Sequence, residues 1–193
     1  MSQLAVVAPP TTPAQGEWTY EDFLKLPDDG RRYEVIEGVL YVANAPNADH
    51  HFVVTEASRL IGNFVIERQL GRVLVAPFEV HLAERSRPVQ PDLLFVRAER
   101  WPKGQVAFFD GAPDLIVEIV SLSSVRTDRV VKFTAYENAG VPEYWIANPH
   151  TRTVEVYTLS NGEYALLGEY TGDEHLQSLL LAGIDIVTST LFG

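Results

Sequence analysis

A single carboxylate, Glu118, interrupts the otherwise apolar run Leu115-Ile116-Val117-Glu118-Ile119-Val120. An ionised carboxylate among aliphatic side chains is costly unless it is paired or bound to a cation. Two readings stand for it: a structural carboxylate at a solvated sheet edge or against an arginine, or part of a site. Gln90-Pro91-Asp92 opens a second apolar run, Leu93 to Val96. That puts Asp92 at a strand start, where it can meet Glu118 across adjacent strands. Two hard oxygen donors converging in this way suit Mg²⁺ or Mn²⁺, which favour carboxylates and water over dedicated cages. A further acid, Asp114, lies four residues before Glu118 on the same strand, about 13 Å away and too far to share an ion. It marks strand entry.

Lys132 is the one lysine of three that falls in the middle of a helical pattern with apolar neighbours. Asp128, Lys132 and Tyr136 follow at i, i+4 and i+8, one helical face. An ordinary Asp-Lys pair accounts for that spacing. Beside two metal-bound carboxylates, the same lysine could position a water or stabilise a developing phosphate charge. His50 opens the first long helix, where an imidazole serves as a cap, packs a loop, or contacts phosphate or a metal-bound water. Arg85, Arg87, Arg126 and Arg129 flank the two acidic strands in sequence and are the candidates for phosphate contact. Gly140-Val141-Pro142-Glu143-Tyr144-Trp145 reads as helix-to-strand packing rather than a base-stacking platform.

The elements that must position these residues are legible in the pattern. Thr19 before Glu21-Asp22 predicts a short capped helix, ended by Pro27. Tyr33 to Ala43, with Glu37-Gly38 in its middle, predicts a hairpin or bent strand. Apolar positions from Ala48 to Leu70 recur at helical spacing, with Gly71 as the expected C-terminal cap. Strands are expected at Val73–Leu82, Val89–Val96 and Leu115–Val120, the last central in a sheet. A helix over Thr127–Ala139 leads into strands at Tyr144–Ala147 and Val154–Leu159, and Asn161-Gly162 signals a further hairpin.

Composition narrows the choice of partner and compartment. A chain of 193 residues, 46% hydrophobic, forms one domain with a substantial core. Residues 17–193 are assigned to that domain and residues 1–16, free of charge, to a flexible tail. The absence of cysteine excludes disulfides and thiolate zinc sites and suits a reducing compartment, the cytoplasm. No apolar run reaches the roughly 18 residues of a membrane span. A net charge of -11 disfavours adhesion of the whole surface to nucleic acid, so any such partner must be met by a local patch.

Six blocks occur in a fixed order: Tyr33-Glu34 with Gly38; Pro46 and His50; Gln90-Pro91-Asp92; Pro113 to Ile119; Asp128, Lys132 and Tyr136; and Gly140 to Trp145. Over about residues 18 to 165 this series resembles the Uma-two family of restriction-endonuclease-like proteins, a branch of the PD-(D/E)XK nuclease superfamily. The resemblance implies an α/β (α+β) restriction-endonuclease-like core, a central mixed β-sheet flanked by helices, with an N-terminal β-hairpin extension. It implies Asp92 and Glu118 as metal ligands for Mg²⁺ or Mn²⁺, Lys132 as the catalytic lysine and Glu34 as a further acid. An arginine partner, Arg31 or Arg32, is the competing role for Glu34. The superfamily's lysine two residues beyond the second acid is replaced here by Val120, which moves that function to Lys132 on the following helix. The activity implied is Mg²⁺-dependent hydrolysis of nucleic acid, DNA first, with a homodimer suited to cutting two strands. The alternatives are an inactive nuclease fold kept for interaction or dimerisation, and a metal-dependent hydrolase of another substrate.

Overall fold

A computed structural model describes residues 12–43, 45–121, 124 and 126–193. Most of the expected flexible tail, residues 1–11, lies outside the described residues. Of the remainder, Gln15 and Gly16 bond to the first hairpin: the Gly16 N–H donates to Gly38 O at 2.8 Å, and the Leu40 N–H to Gln15 Oε1 at 2.9 Å.

The chain enters through α1 (Tyr20–Phe23), where Thr19 and Asp22 cap each other reciprocally as their spacing predicts. An antiparallel hairpin follows, β1 (Arg32–Ile36) with β2 (Val39–Ala43). Its turn residues Glu37 and Gly38 both have positive φ, 52° and 73°, which suits a two-residue connection. Helix α2 (Ala48–Glu67) begins where the Asn47 side chain accepts the His50 N–H, and it buries Val53, Ala57, Ile61, Phe64 and Val65. The helix stops three residues before the expected Leu70, and Gly71 is not its cap. Gly71 opens β3 (Gly71–Val75), where a Cβ would stand 2.0 Å from the Val96 carbonyl oxygen, so close approach of two strands demands glycine there.

The main sheet has six strands in the order β10-β9-β8-β7-β5-β3. They are β5 (Leu93–Arg97), β7 (Leu115–Ile119), β8 (Glu143–Asn148), β9 (Thr153–Ser160) and β10 (Glu163–Thr171), together with β3. Within this sheet β7 and β8 pair in parallel and the other neighbours antiparallel. The expected strand Val73–Leu82 divides in two at Pro77, which has no N–H for a ladder. Its second piece, β4 (Glu79–His81), pairs in parallel with β6 (Phe108–Asp110) in a separate small sheet. The expected strand Val89–Val96 likewise shortens, because Pro91 lies within it and Val89 bridges to Val80 instead. The expected helix over Thr127–Ala139 starts as a π-turn, Thr127–Lys132, and continues as α3 (Phe133–Ala139), closed by Gly140 at φ 83°.

The core lies on both faces of the sheet. Leu93, Phe95, Leu115, Val117 and Ile119 pack with α2, whereas Leu94, Val96, Ile116 and Val120 pack with the α3 side and Ile36 of the hairpin. Strand alternation therefore sends the even-numbered positions of β7, Glu118 among them, toward α3 and the hairpin. Among the described residues no helix is long and apolar enough to cross a membrane.

Candidate active site

The register of β5 on β7 pairs Leu93 with Val117 and Leu94 with Ile116. One step further along that register brings Asp92 opposite Glu118, on one face of the sheet. Both line a cavity of about 690 Å³ bounded by the hairpin, the start of α2 and the π-turn. The hairpin brings Glu34 and Arg32, which alternate onto one face of β1, into the same cavity. The π-turn ends on Lys132, and Tyr136 follows one helical turn later.

Lys132 Nζ stands 3.0 Å from Glu118 Oε1 and 3.1 Å from Glu34 Oε2, with Asp128 Oδ1 farther off at 3.9 Å. The local i, i+4 partner is thus the weakest contact, and the lysine is held by two strands. The Tyr136 hydroxyl donates to the same Glu118 oxygen at 2.6 Å, and Glu34 Oε1 accepts the Gln90 N–H at 2.6 Å. Asp92 is engaged at both oxygens: Oδ1 by Arg32 Nη1 at 3.0 Å, Oδ2 by His50 Nε2 at 3.0 Å and by the Ile119 N–H at 2.9 Å. Glu118 Oε2 takes part in none of these bonds.

Glu118 is 1% exposed and Lys132 2%, so bulk water screens their charges little. Burial pushes the Glu118 carboxyl well above the ordinary range; Lys132 opposes that shift, while Asp92, Asp128 and Glu34 add to it. Burial also raises Asp128. Asp92 goes the other way: burial would raise it, but the His50 hydrogen bond and the Arg32 charge outweigh burial and hold it low. Burial works to neutralise Lys132, yet the charges of Glu118, Glu34, Asp128 and Asp92 keep it protonated far above its usual range.

Fully ionised, Glu34, Asp92, Glu118 and Asp128 carry four negative charges against two positive ones on Arg32 and Lys132, a difference of two. That excess matches a divalent cation. Among the described residues no three His, Asp or Glu side chains converge as a ready-made cage. A pair of carboxylates facing a cavity fits an ion that keeps most of its waters, as Mg²⁺ does.

Of the residues singled out in the sequence, Asp92, Glu118, Lys132, Glu34 and His50 come together. The four arginines stand outside the cavity lining. Arg129 makes a two-pronged pair with Glu155, at 2.8 and 2.5 Å. Arg85 bonds the Gly16 and Glu37 carbonyls and so braces the hairpin turn. Arg87 lies over the Tyr20 ring at 6.0 Å, and Arg126 is exposed. Of the two arginines weighed for Glu34, Arg31 pairs with Asp29 and Arg32 with Asp92, and Glu34 takes Lys132 instead. Arg32, weighed in the sequence only as a partner for Glu34, enters the site through Asp92. Its one local signal is its place two residues before Glu34, hence on the same strand face.

A central mixed sheet flanked by helices is the frame of the restriction-endonuclease-like class. The chain belongs to the Uma2 family, described as "Putative restriction endonuclease", which matches residues 20–189. Its structure is similar to that of "a putative nuclease belonging to DUF820" from Anabaena variabilis, with a TM-score of 0.77. That likeness, at 22% sequence identity over 90% of this chain and 97% of the other, is one of fold. Comparison with curated proteins gives no match.

Proposed function

We propose that the protein is a Mg²⁺-dependent endonuclease that hydrolyses phosphodiester bonds in DNA. The observation that carries this reading is that Asp92, at the start of β5, and Glu118 on the neighbouring β7 line one cavity, with Lys132 Nζ 3.0 Å from Glu118 Oε1. Asp92 and Glu118 would hold the ion. When bound, a divalent ion lowers the pKa of water and clamps the scissile phosphate. The rest of the work falls to the chain. Lys132 and Tyr136 both engage Glu118 Oε1, which fixes the carboxylate and leaves Oε2 for a ligand. Glu34 holds Lys132 from the far side, and Arg32 and His50 orient Asp92. Lys132, positive at any physiological pH, supplies a fixed charge toward a phosphate oxygen or an attacking water. A homodimer in the cytoplasm would bring two such sites to two strands.

Asp92, with both oxygens engaged, favours a second reading in which the nuclease fold is kept for interaction alone. Calorimetric titration of Mg²⁺ and Mn²⁺ into the protein and its Glu118→Gln variant separates the two, with nicking of supercoiled plasmid and cleavage of a single-stranded oligonucleotide followed on the same samples. Binding and cleavage lost together in the variant support the nuclease. Binding without cleavage of either substrate supports the interaction module, and no binding in the intact protein overturns the metal site.

A further inference from the structure

Tyr41 stands opposite Glu34 in the β1-β2 register, so both side chains lie on one face of the hairpin. Both line the cavity that holds the acids. Other tyrosines are committed: Tyr136 to Glu118, Tyr144 to the Asp128 carbonyl, Tyr164 to the Val141 carbonyl. Among the described residues the Tyr41 hydroxyl makes no side-chain hydrogen bond, and its half-buried ring rests by one side on the cluster that holds Ile36 and pairs with no other ring. Beside it the wall is apolar, with Val42, Pro46, Val54 and Pro77.

The cavity's cations are not available in the same way. Among the described residues, Arg32 and Lys132 are the arginine and lysine side chains lining it, and both are paired with its acids. With a net charge of -11, the chain is poorly suited to tracking a duplex by neutralising successive phosphates. Affinity must then come from contacts inside the cavity. Its volume of about 690 Å³ is that of a pocket for a small ligand rather than a duplex-wide groove. Glu34, Asp92, Glu118 and Asp128, 1 to 4% exposed, can be reached only by a group that enters it.

We infer that this site takes an unpaired nucleotide, its base stacked on Tyr41, from single-stranded DNA or a single-stranded flap in preference to intact duplex. The inference rests on the nuclease reading and names the substrate form. Stacking on an aromatic ring tolerates any base and contributes about 1–3 kcal/mol per base, which converts to about 5-fold to 150-fold in affinity.

The test is fluorescence anisotropy of a labelled 12-nucleotide single strand and the matching blunt duplex with the Glu118→Gln protein in Mg²⁺, at fixed salt. The single strand is expected to bind at least tenfold more tightly. Adding Tyr41→Phe should preserve that binding, and adding Tyr41→Ala should weaken it about 5-fold to 150-fold. In the otherwise intact protein, Tyr41→Ala should leave the heat of Mg²⁺ titration unchanged, which checks the fold. Duplex bound as tightly as single strand, neither bound, or Tyr41→Ala without effect would each overturn the inference. The Mg²⁺ titration of the intact protein reads the nuclease proposal separately, since it involves no nucleic acid.

Discussion

Two buried glutamates on the neighbouring parallel strands β7 and β8 have opposite surroundings. Glu143, 1% exposed, lies on the α2 side of the sheet with four donors, two to each oxygen. Trp145 Nε1 and the Ser178 hydroxyl donate to Oε1 at 2.8 and 2.6 Å; the Leu179 and Leu180 N–H groups donate to Oε2 at 2.9 and 3.1 Å. All four are neutral, and they tie the segment around 178–180 to the sheet. Glu118, equally buried on the other face, has two donors on Oε1, one of them charged, and three more carboxyl groups nearby. Burial is common to the two and identifies neither as functional. What distinguishes Glu118 is its place in the lining of a cavity and an excess of like charge that a cation would relieve.

The sharpest way to break this contrast is to neutralise each glutamate. Glu118→Gln should reduce Mg²⁺-dependent cleavage by on the order of 10³-fold or more, at least about 4 kcal/mol in the barrier. It should leave the protein folded, because it removes one of several crowded negative charges. A variant that cleaves at wild-type rate would remove Glu118 from the site. Glu143→Ala should do the reverse. It strands four buried donors and should lower unfolding free energy by about 3–5 kcal/mol in urea titrations. At a temperature where the variant is still folded, its cleavage per folded molecule should match the wild type. If Glu143→Ala leaves stability intact, the segment at 178–180 is held by its apolar contacts alone.

A smaller effect comes from pH in metal-free buffer. Burial raises Glu118 above its ordinary 4.5, so its contribution to stability is present below 4.5 and is lost as pH rises through the folded value. For Asp92 burial is outweighed by His50 and Arg32, so its folded value lies below 3.8. Its contribution is present above 3.8 and is lost as pH falls toward the folded value. Relative to wild type, Glu118→Gln should therefore gain melting temperature as pH rises from 4.5 to 8. Asp92→Asn should gain as pH drops below 3.8. Shifts of a few degrees are expected for a chain of this size. Parallel slopes for the two variants would show that the pair does not titrate in opposite senses.

How much of this was legible in the sequence depends on the distance over which each feature is decided. Strand β7, the cap at Thr19, the turns at Glu37-Gly38 and Asn161-Gly162 and the acids at 92 and 118 are local signals, and the structure puts each element where its residues indicate. The end of α2 differs from the sequence expectation because Gly71 has the look of a cap, whereas its reason is the Val96 carbonyl on another strand. The Glu143 clasp joins residues 35 to 37 positions apart, and the Arg32-Asp92 pair spans 60. No periodicity reports contacts of that separation. Lys132 falls between these cases: its spacing from Asp128 suggested a helical pair, but the π-turn and the two strand carboxylates decide where its charge goes.

The arginines give the finest version of the same comparison, since one of them contacts the acid cluster and another only resembles a phosphate ligand in sequence. Arg32 bonds Asp92 inside the cavity; Arg129 faces Glu155 on β9, outside it. Glu155 is buried but keeps the Tyr157 hydroxyl as a donor at 2.7 Å, so Arg129→Ala should cost about 1–3 kcal/mol in denaturant titrations. The vacated Glu155 leaves one unpaired negative charge outside the cavity lining, two strands across from Glu118, and with salt screening at physiological strength DNA affinity should stay within about twofold of wild type. A decrease of tenfold or more, accompanied by a salt dependence shallower by about one unit of slope, would mean that Arg129 leaves Glu155 to meet a phosphate. That outcome would extend the binding surface from the cavity across the π-turn to β9.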